Sequence, residues 1–171
     1  NLFRVEIRPR APIKHPHGPK HVRSETQVFE KPISQAHVCM GTLSYGVRSK
    51  LRYPLLVLNT LLGDGMSSRL FQNIREKQGL AYSVYSELSM YRDAGCMVIY
   101  AGTSARWAEK VVKSISRELH EAASSLVTSE ELRRAKDHLK GSIVLGLEST
   151  SSRMANLARQ ETYFKRFMTL D

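Results

Sequence analysis

The sequence predicts an α+β fold, an antiparallel sheet with helices packed on one face. Three observations carry this expectation. Runs that alternate apolar and polar residues come in two pairs, at 26–31 with 36–45 and at 80–89 with 95–104. The second pair is joined only by "MYRDAG", a hairpin-sized connection. The segments between and after these pairs carry apolar residues three and four apart, which is helical spacing. The order β-β-α-α-β-β-α-α-α then buries one sheet face beneath helices.

Each element has its own signal. "TQVFEK" (26–31) alternates around Val28, and "AHVCMGTLSY" (36–45) carries Val38, Met40 and Leu43, with Pro32 and Ser34 between the two runs. Residues 52–62 form a helix with Leu55, Leu58, Leu61 and Leu62 on its apolar face. Leu56 and Val57 widen that face, so the helix should be buried nearly all round. "GDGMSS" (63–68) ends it; Gly63 suits the left-handed conformation of a helix end, and Ser67 or Ser68 suits the next N-cap. A helix over 68–77 turns Leu70, Phe71 and Ile74 inward and stops at Gly79. In the hairpin, Leu80, Tyr82, Val84 and Leu88 share one face of the first strand. In the second, Met97, Ile99 and Ala101 share one face, while Val98 and Tyr100 share the other. Helices follow at 105–125 (Ala108, Val111, Val112, Ile115, Leu119, Ala122) and from Thr128, where Thr128 and Glu131 spell a capping box ahead of Leu132, Ala135, Leu139 and Ile143. A last helix at 150–167 carries Met154, Leu157, Ala158 and Phe164. Residues 1–24, rich in proline and basic residues, read as an extended arm or linker, leaving 25–171 as the folded domain.

Composition excludes several classes. No apolar run approaches the roughly 18 residues of a membrane-spanning helix. The formal net charge is +10, but the basic residues are scattered and alternate with acids, as in "SEELRRAKDHLK". No basic run interleaves with aromatics, so the charge reads as solvated helix faces rather than a nucleic-acid surface. Cys39 and Cys96 each lie in a strand-like run, where cysteine packs as a small hydrophobe; this fits a reducing compartment. There is no secretory leader, and the chain opens on Asn1, which suggests a piece of something longer. His15, His17 and His21 lie in the arm without a cysteine or carboxylate beside them, and no His-Glu-x-x-His or His-x-x-Glu-His occurs. A G-x-G at 63–65 follows a helix rather than a strand and lacks a third glycine, so it is not a dinucleotide fingerprint.

The candidate chemistry sits in "IREKQGLAYSVYSE" (74–87). Arg75 lies near a helix end, where a cation complements the helix dipole, and Tyr82 suits a strand core; both have this structural explanation. A functional explanation uses the turn between them. A helix ending at Gly79 and a strand starting at Leu80 bring Arg75 and Tyr82 to one edge. An arginine fork binds a carbonyl or carboxylate, and a phenol donates to a developing oxyanion. Together they would clamp a peptide backbone, and the strand itself would accept an extended peptide if it lies at a sheet edge.

The segment "LNTLLGDGMSSRLFQNIREKQGLAYSVYS" (58–86) resembles the second half of pitrilysin-type zinc peptidases, the inverted-zinc-motif family that includes mitochondrial processing peptidase. "QAHVCMG" (35–41), "AGTS" (101–104) and "EELRRAKDHLKGSIVLGLESTSSRMANLARQE" (130–161) resemble it too, so that the likeness covers about 25–171. The resemblance implies a bipartite enzyme. A separate N-terminal half, on the same or a partner chain, would hold zinc, and this half would bind no metal. Arg75 would hold the backbone of an unfolded or extended peptide, and Tyr82 would polarise its scissile carbonyl. Gly63 and Gly65 match a substrate-associated glycine-rich loop, although Asp64 stands where relatives often have glycine. The arm would link the two halves. The alternative within the same fold is a catalytically inactive core subunit. A homodimer or heterodimer and a cytoplasmic, bacterial-type location are further expectations, with periplasm and organelle left open.

Overall fold

The computed structural model describes residues 32–169. The arm, its three histidines and the strand expected at 26–31 lie outside the described residues. Three strands, β1 (Ala36–Ser44), β2 (Ser83–Met90) and β3 (Gly95–Thr103), form one antiparallel sheet in the order β1-β3-β2. Four α-helices accompany it: α1 (Arg52–Gly63), α2 (Ala108–Ser124), α3 (Ser129–Gly146) and α4 (Thr150–Phe164). The fold is the expected α+β arrangement.

The core lies between one sheet face and the helices. In β3, Met97, Ile99 and Ala101 point inward, while Cys96, Val98 and Tyr100 are only half-buried on the opposite face. The alternation read from the sequence therefore holds in this strand. Leu70, Ile74, Ala101, Val111 and Ile115 are fully buried. Each large aliphatic side chain among them contributes roughly 1.5–3 kcal/mol of transfer free energy. Thr128 caps α3 as expected: its Oγ1 accepts from Glu131 N at 3.2 Å, and Glu131 Oε2 accepts from Thr128 N at 3.2 Å.

The helices are less enclosed than their composition suggests. In α1 only Thr60, Leu62 and Gly63 are buried, and Leu58 is exposed. This helix packs against β2 and α3 along one side, and its Tyr53–Pro54 end faces outward. The inner face of α2 keeps Val111 and Ile115 in the core with Leu119 and Ala122 packed against it, and departs from the expected face at Val112, which is exposed. Glu118 is 2% exposed, and its carboxylate accepts from Asn73 Nδ2 at 2.8 Å. The far half of α3 and most of α4 expose their apolar stripes, including Ile143, Met154 and Leu157.

Candidate functional site

The segment after α1 is fixed by close packing. Gly63 does not adopt the left-handed conformation expected of it; it belongs to the last turn of α1. Its role is close approach, since an added Cβ would lie 2.3 Å from Ser86 N on β2. Gly65 carries the positive φ instead, at 102°. Ser68 does not cap the next helical segment; it is buried and donates from Oγ to Gly65 O at 2.7 Å. Gln72 Nε2 holds Met66 O at 2.7 Å. The glycine-rich loop is thus held on both sides, and only Gly65, Met66 and Ser67 at its tip are exposed.

Two ties to α3 were not read from the sequence. Arg69 donates from Nε and Nη2 to the two oxygens of Glu131, both at 3.0 Å. This fork holds the Glu131 carboxyl below the usual carboxylate range and raises Arg69. His138 Nε2 stands 3.9 Å from Asp64 Oδ2, and its ring would lie 3.4 Å from a Cβ at Gly65. No local motif marks either tie, because each joins residues more than 60 positions apart.

Arg75 sits in a π-helical turn, Phe71–Glu76, rather than an α-helix. Lys77 N bonds back five residues to Gln72 O at 3.0 Å. Such wide turns occur often at functional sites. Gly79, at φ 60°, closes the turn; its N bonds Arg75 O, and Leu80 N bonds Ile74 O, each at 3.0 Å. The Arg75 guanidinium lies over the Phe71 ring, 4.7 Å from its centre, and 3.9 Å from Glu76. Phe71, expected to point inward, is half-buried and serves as this shelf.

Tyr82 does not join the inward face expected for it. Leu80 and Ala81 are both buried in succession, and regular alternation begins only at Ser83, so Tyr82 emerges 66% exposed. The turn at Gly79 sets this phase. Thr103 Oγ1 donates to Leu80 O, and Tyr82 N donates to Gly102 O at 2.8 Å, which fixes the backbone on both sides of residue 81. The Tyr82 side chain has no hydrogen-bond or ring partner among the described residues. Only three positions separate Gly79 from Tyr82, so the backbone at Tyr82 lies close to the end of the Arg75 turn. Among the described residues, no three histidine, cysteine or carboxylate side chains gather to hold a metal.

The sequence profile of the peptidase M16 inactive domain matches residues 3–139. This chain belongs to the M16 peptidase family, as its inactive domain. A protein named as an uncharacterized zinc protease, YmxG of Bacillus subtilis, is 43% identical over 148 residues, covering 86% of this chain and 36% of its own length. The crystal structure of a peptidase M16 inactive domain from Pseudomonas fluorescens superposes with a TM-score of 0.71 at 28% identity, over 78% of this chain and 32% of that one. A chain of complex III from Candida albicans has a TM-score of 0.72 at 16% identity, over 82% of this chain and 36% of its own; that likeness concerns the fold alone. The M16 chain spans about a third of the length of these relatives. Among the described residues no helix is long and apolar enough to cross a membrane.

Proposed function

We propose that this M16 domain, residues 25–171, is the substrate-gripping, metal-free half of a bipartite zinc metallopeptidase acting on unfolded or extended peptides. Residues 1–24 would join it to the N-terminal, zinc-holding half, on the same or a partner chain. The observation that carries the proposal is the exposure of Tyr82. A tyrosine leading into a strand gains from burial, yet this one is turned outward between buried Ala81 and half-buried Ser83, and among the described residues its hydroxyl has no partner. Arg75 is held on a ring shelf with its side chain 45% exposed, a pre-set fork rather than a loose surface cation.

The roles follow from the chemistry of the two groups. Arg75 donates to a main-chain carbonyl of the peptide and fixes its register. Tyr82 donates its hydroxyl to the carbonyl under attack, where negative charge develops; one such donor is worth about 10²–10³ in rate. Zinc, held by the other half, supplies Lewis acidity and an activated water. Within the described sheet β2 is an edge strand, so an extended peptide can also pair with it.

Mixing this chain with its N-terminal half tests the proposal, with hydrolysis of a quenched, unstructured peptide as the readout. Neither half alone should cleave, and the mixture should cleave in a chelator-sensitive way. A folded, zinc-loaded mixture without hydrolysis would favour the alternative, a catalytically inactive core subunit.

A further inference from the structure

We propose that the open face of the sheet carries a second grip on the substrate, a neutral cradle of Gln35, His37, Ser83 and Tyr100 above Gly102 that takes a main-chain carbonyl of the peptide. The proposal rests on the peptide-gripping role given above.

The sheet register builds the cradle. His37 on β1 and Ser83 on β2 both lie directly opposite Gly102 on the central strand. The middle of this row therefore has no side chain, and its neighbours lean into the space. A Cβ at Gly102 would lie 3.0 Å from both Gln35 Nε2 and Ser83 Oγ, and 3.2 Å from the Tyr100 hydroxyl. The Tyr100 hydroxyl is 2.7 Å from His37 Nδ1. Tyr85, 5.0 Å from the Tyr100 ring centre, walls the next row.

The donors decide the ligand. Among the described residues, neither Ser83 Oγ nor the Gln35 side chain has a hydrogen-bond partner, although both residues are half-buried. The His37–Tyr100 pair presents an outward donor in either tautomer of a neutral imidazole. If tyrosine donates to Nδ1, then Nε2–H is free; if Nδ1–H donates, the phenol hydrogen is free. The cradle thus offers three sets of donors, and neither Lys nor Arg is among its residues. A buried carboxylate would need a cation beside it, whereas a peptide carbonyl needs only donors.

Its place fits the same substrate. Ser83 follows Tyr82 directly, and Tyr82 N bonds the Gly102 carbonyl at 2.8 Å. The cradle therefore adjoins the backbone of Tyr82, and an extended peptide passing Tyr82 runs on toward it at about 3.3 Å per residue. Because it reads main chain, the grip is indifferent to substrate side chains.

The test uses the intact two-half protein with Ser83→Ala, Tyr100→Phe and Gly102→Ala. Gly102 has no positive φ, so alanine there strains no backbone, and its methyl displaces the Gln35, Ser83 and Tyr100 side chains that close over it. Binding of a fluorescent unstructured peptide is read by anisotropy, and hydrolysis of the same peptide by steady-state kinetics. Each variant should weaken Kd about fivefold, the worth of one neutral hydrogen bond. The loss should fall on KM more than on kcat and be the same for peptides of unrelated sequence. A single thioamide that weakens wild-type binding should have no further effect in Ser83→Ala. Wild-type affinity in Ser83→Ala and Tyr100→Phe would overturn the cradle, as would a loss confined to acidic peptides or no peptide binding by the wild type. Binding that responds to these variants without any hydrolysis would uphold the cradle while refuting the peptidase activity. Should Gly102→Ala fail to fold, Ser83→Ala and Tyr100→Phe decide, since each removes one hydroxyl and nothing else.

Discussion

Replacing Glu131 by alanine should loosen the start of α3 and its tie to the glycine-rich loop together. The substitution removes the two 3.0 Å bonds from Arg69 and the 3.2 Å bond from Thr128 N, and leaves Arg69 with its side chain only 18% exposed. A capping interaction is worth about 1 kcal/mol. The charged fork adds about another 1 kcal/mol once its partial exposure is allowed for. The sum, about 2 kcal/mol, corresponds to roughly 30-fold faster local opening. Hydrogen exchange in the intact protein should show that acceleration at the first amides of α3. The effect also depends on pH. The Arg69 fork depresses the folded-state pKa of Glu131, so its stabilisation is complete above the ordinary carboxylate value of about 4.3. It is lost as the pH falls below that value through the folded-state pKa, and the gap between wild type and Glu131→Ala should close there. Acceleration below threefold at neutral pH, or a gap that widens in acid, would refute the reasoning.

Two further predictions concern packing. Gly63→Ala drives a methyl to within 2.3 Å of the β2 backbone and should destabilise the domain by about 1–3 kcal/mol, read as a lowered urea midpoint. Ile115→Ala removes a fully buried side chain from the centre of α2 and should cost about 2–5 kcal/mol in the same measurement.

The parts of the fold legible in the sequence were those set by local pattern. Alternation in β3, the Thr128–Glu131 capping box and the stop at Gly79 each depend on a few consecutive residues, and each holds. What local pattern misses is set by partners far along the chain. The burial of Glu118 has no local signal, because its partner Asn73 lies 45 positions away. Gly63 looked like a left-handed cap because its close approach to Ser86 spans 23 positions. Tyr82 looked buried because period-two counting began at Leu80, while the turn inserts two buried residues before the strand takes its phase. Arg75 and Tyr82 stand out in the sequence as candidates, but the shelf under Arg75 required the π-helical turn, and the grouping of His37, Ser83 and Tyr100 around Gly102 required the register of all three strands.

The central claim is that Arg75 and Tyr82 act on substrate. The most direct measurement is kcat/KM of the intact protein for a quenched unstructured peptide, in wild type, Arg75→Ala and Tyr82→Phe, with zinc content and folding matched. Both side chains are exposed, so neither change should disturb the core. Each variant should lose at least about tenfold, with Tyr82→Phe losing mainly in kcat. Activity equal to wild type in both would mean that the pair is structural and that this domain does not grip the peptide in the way described.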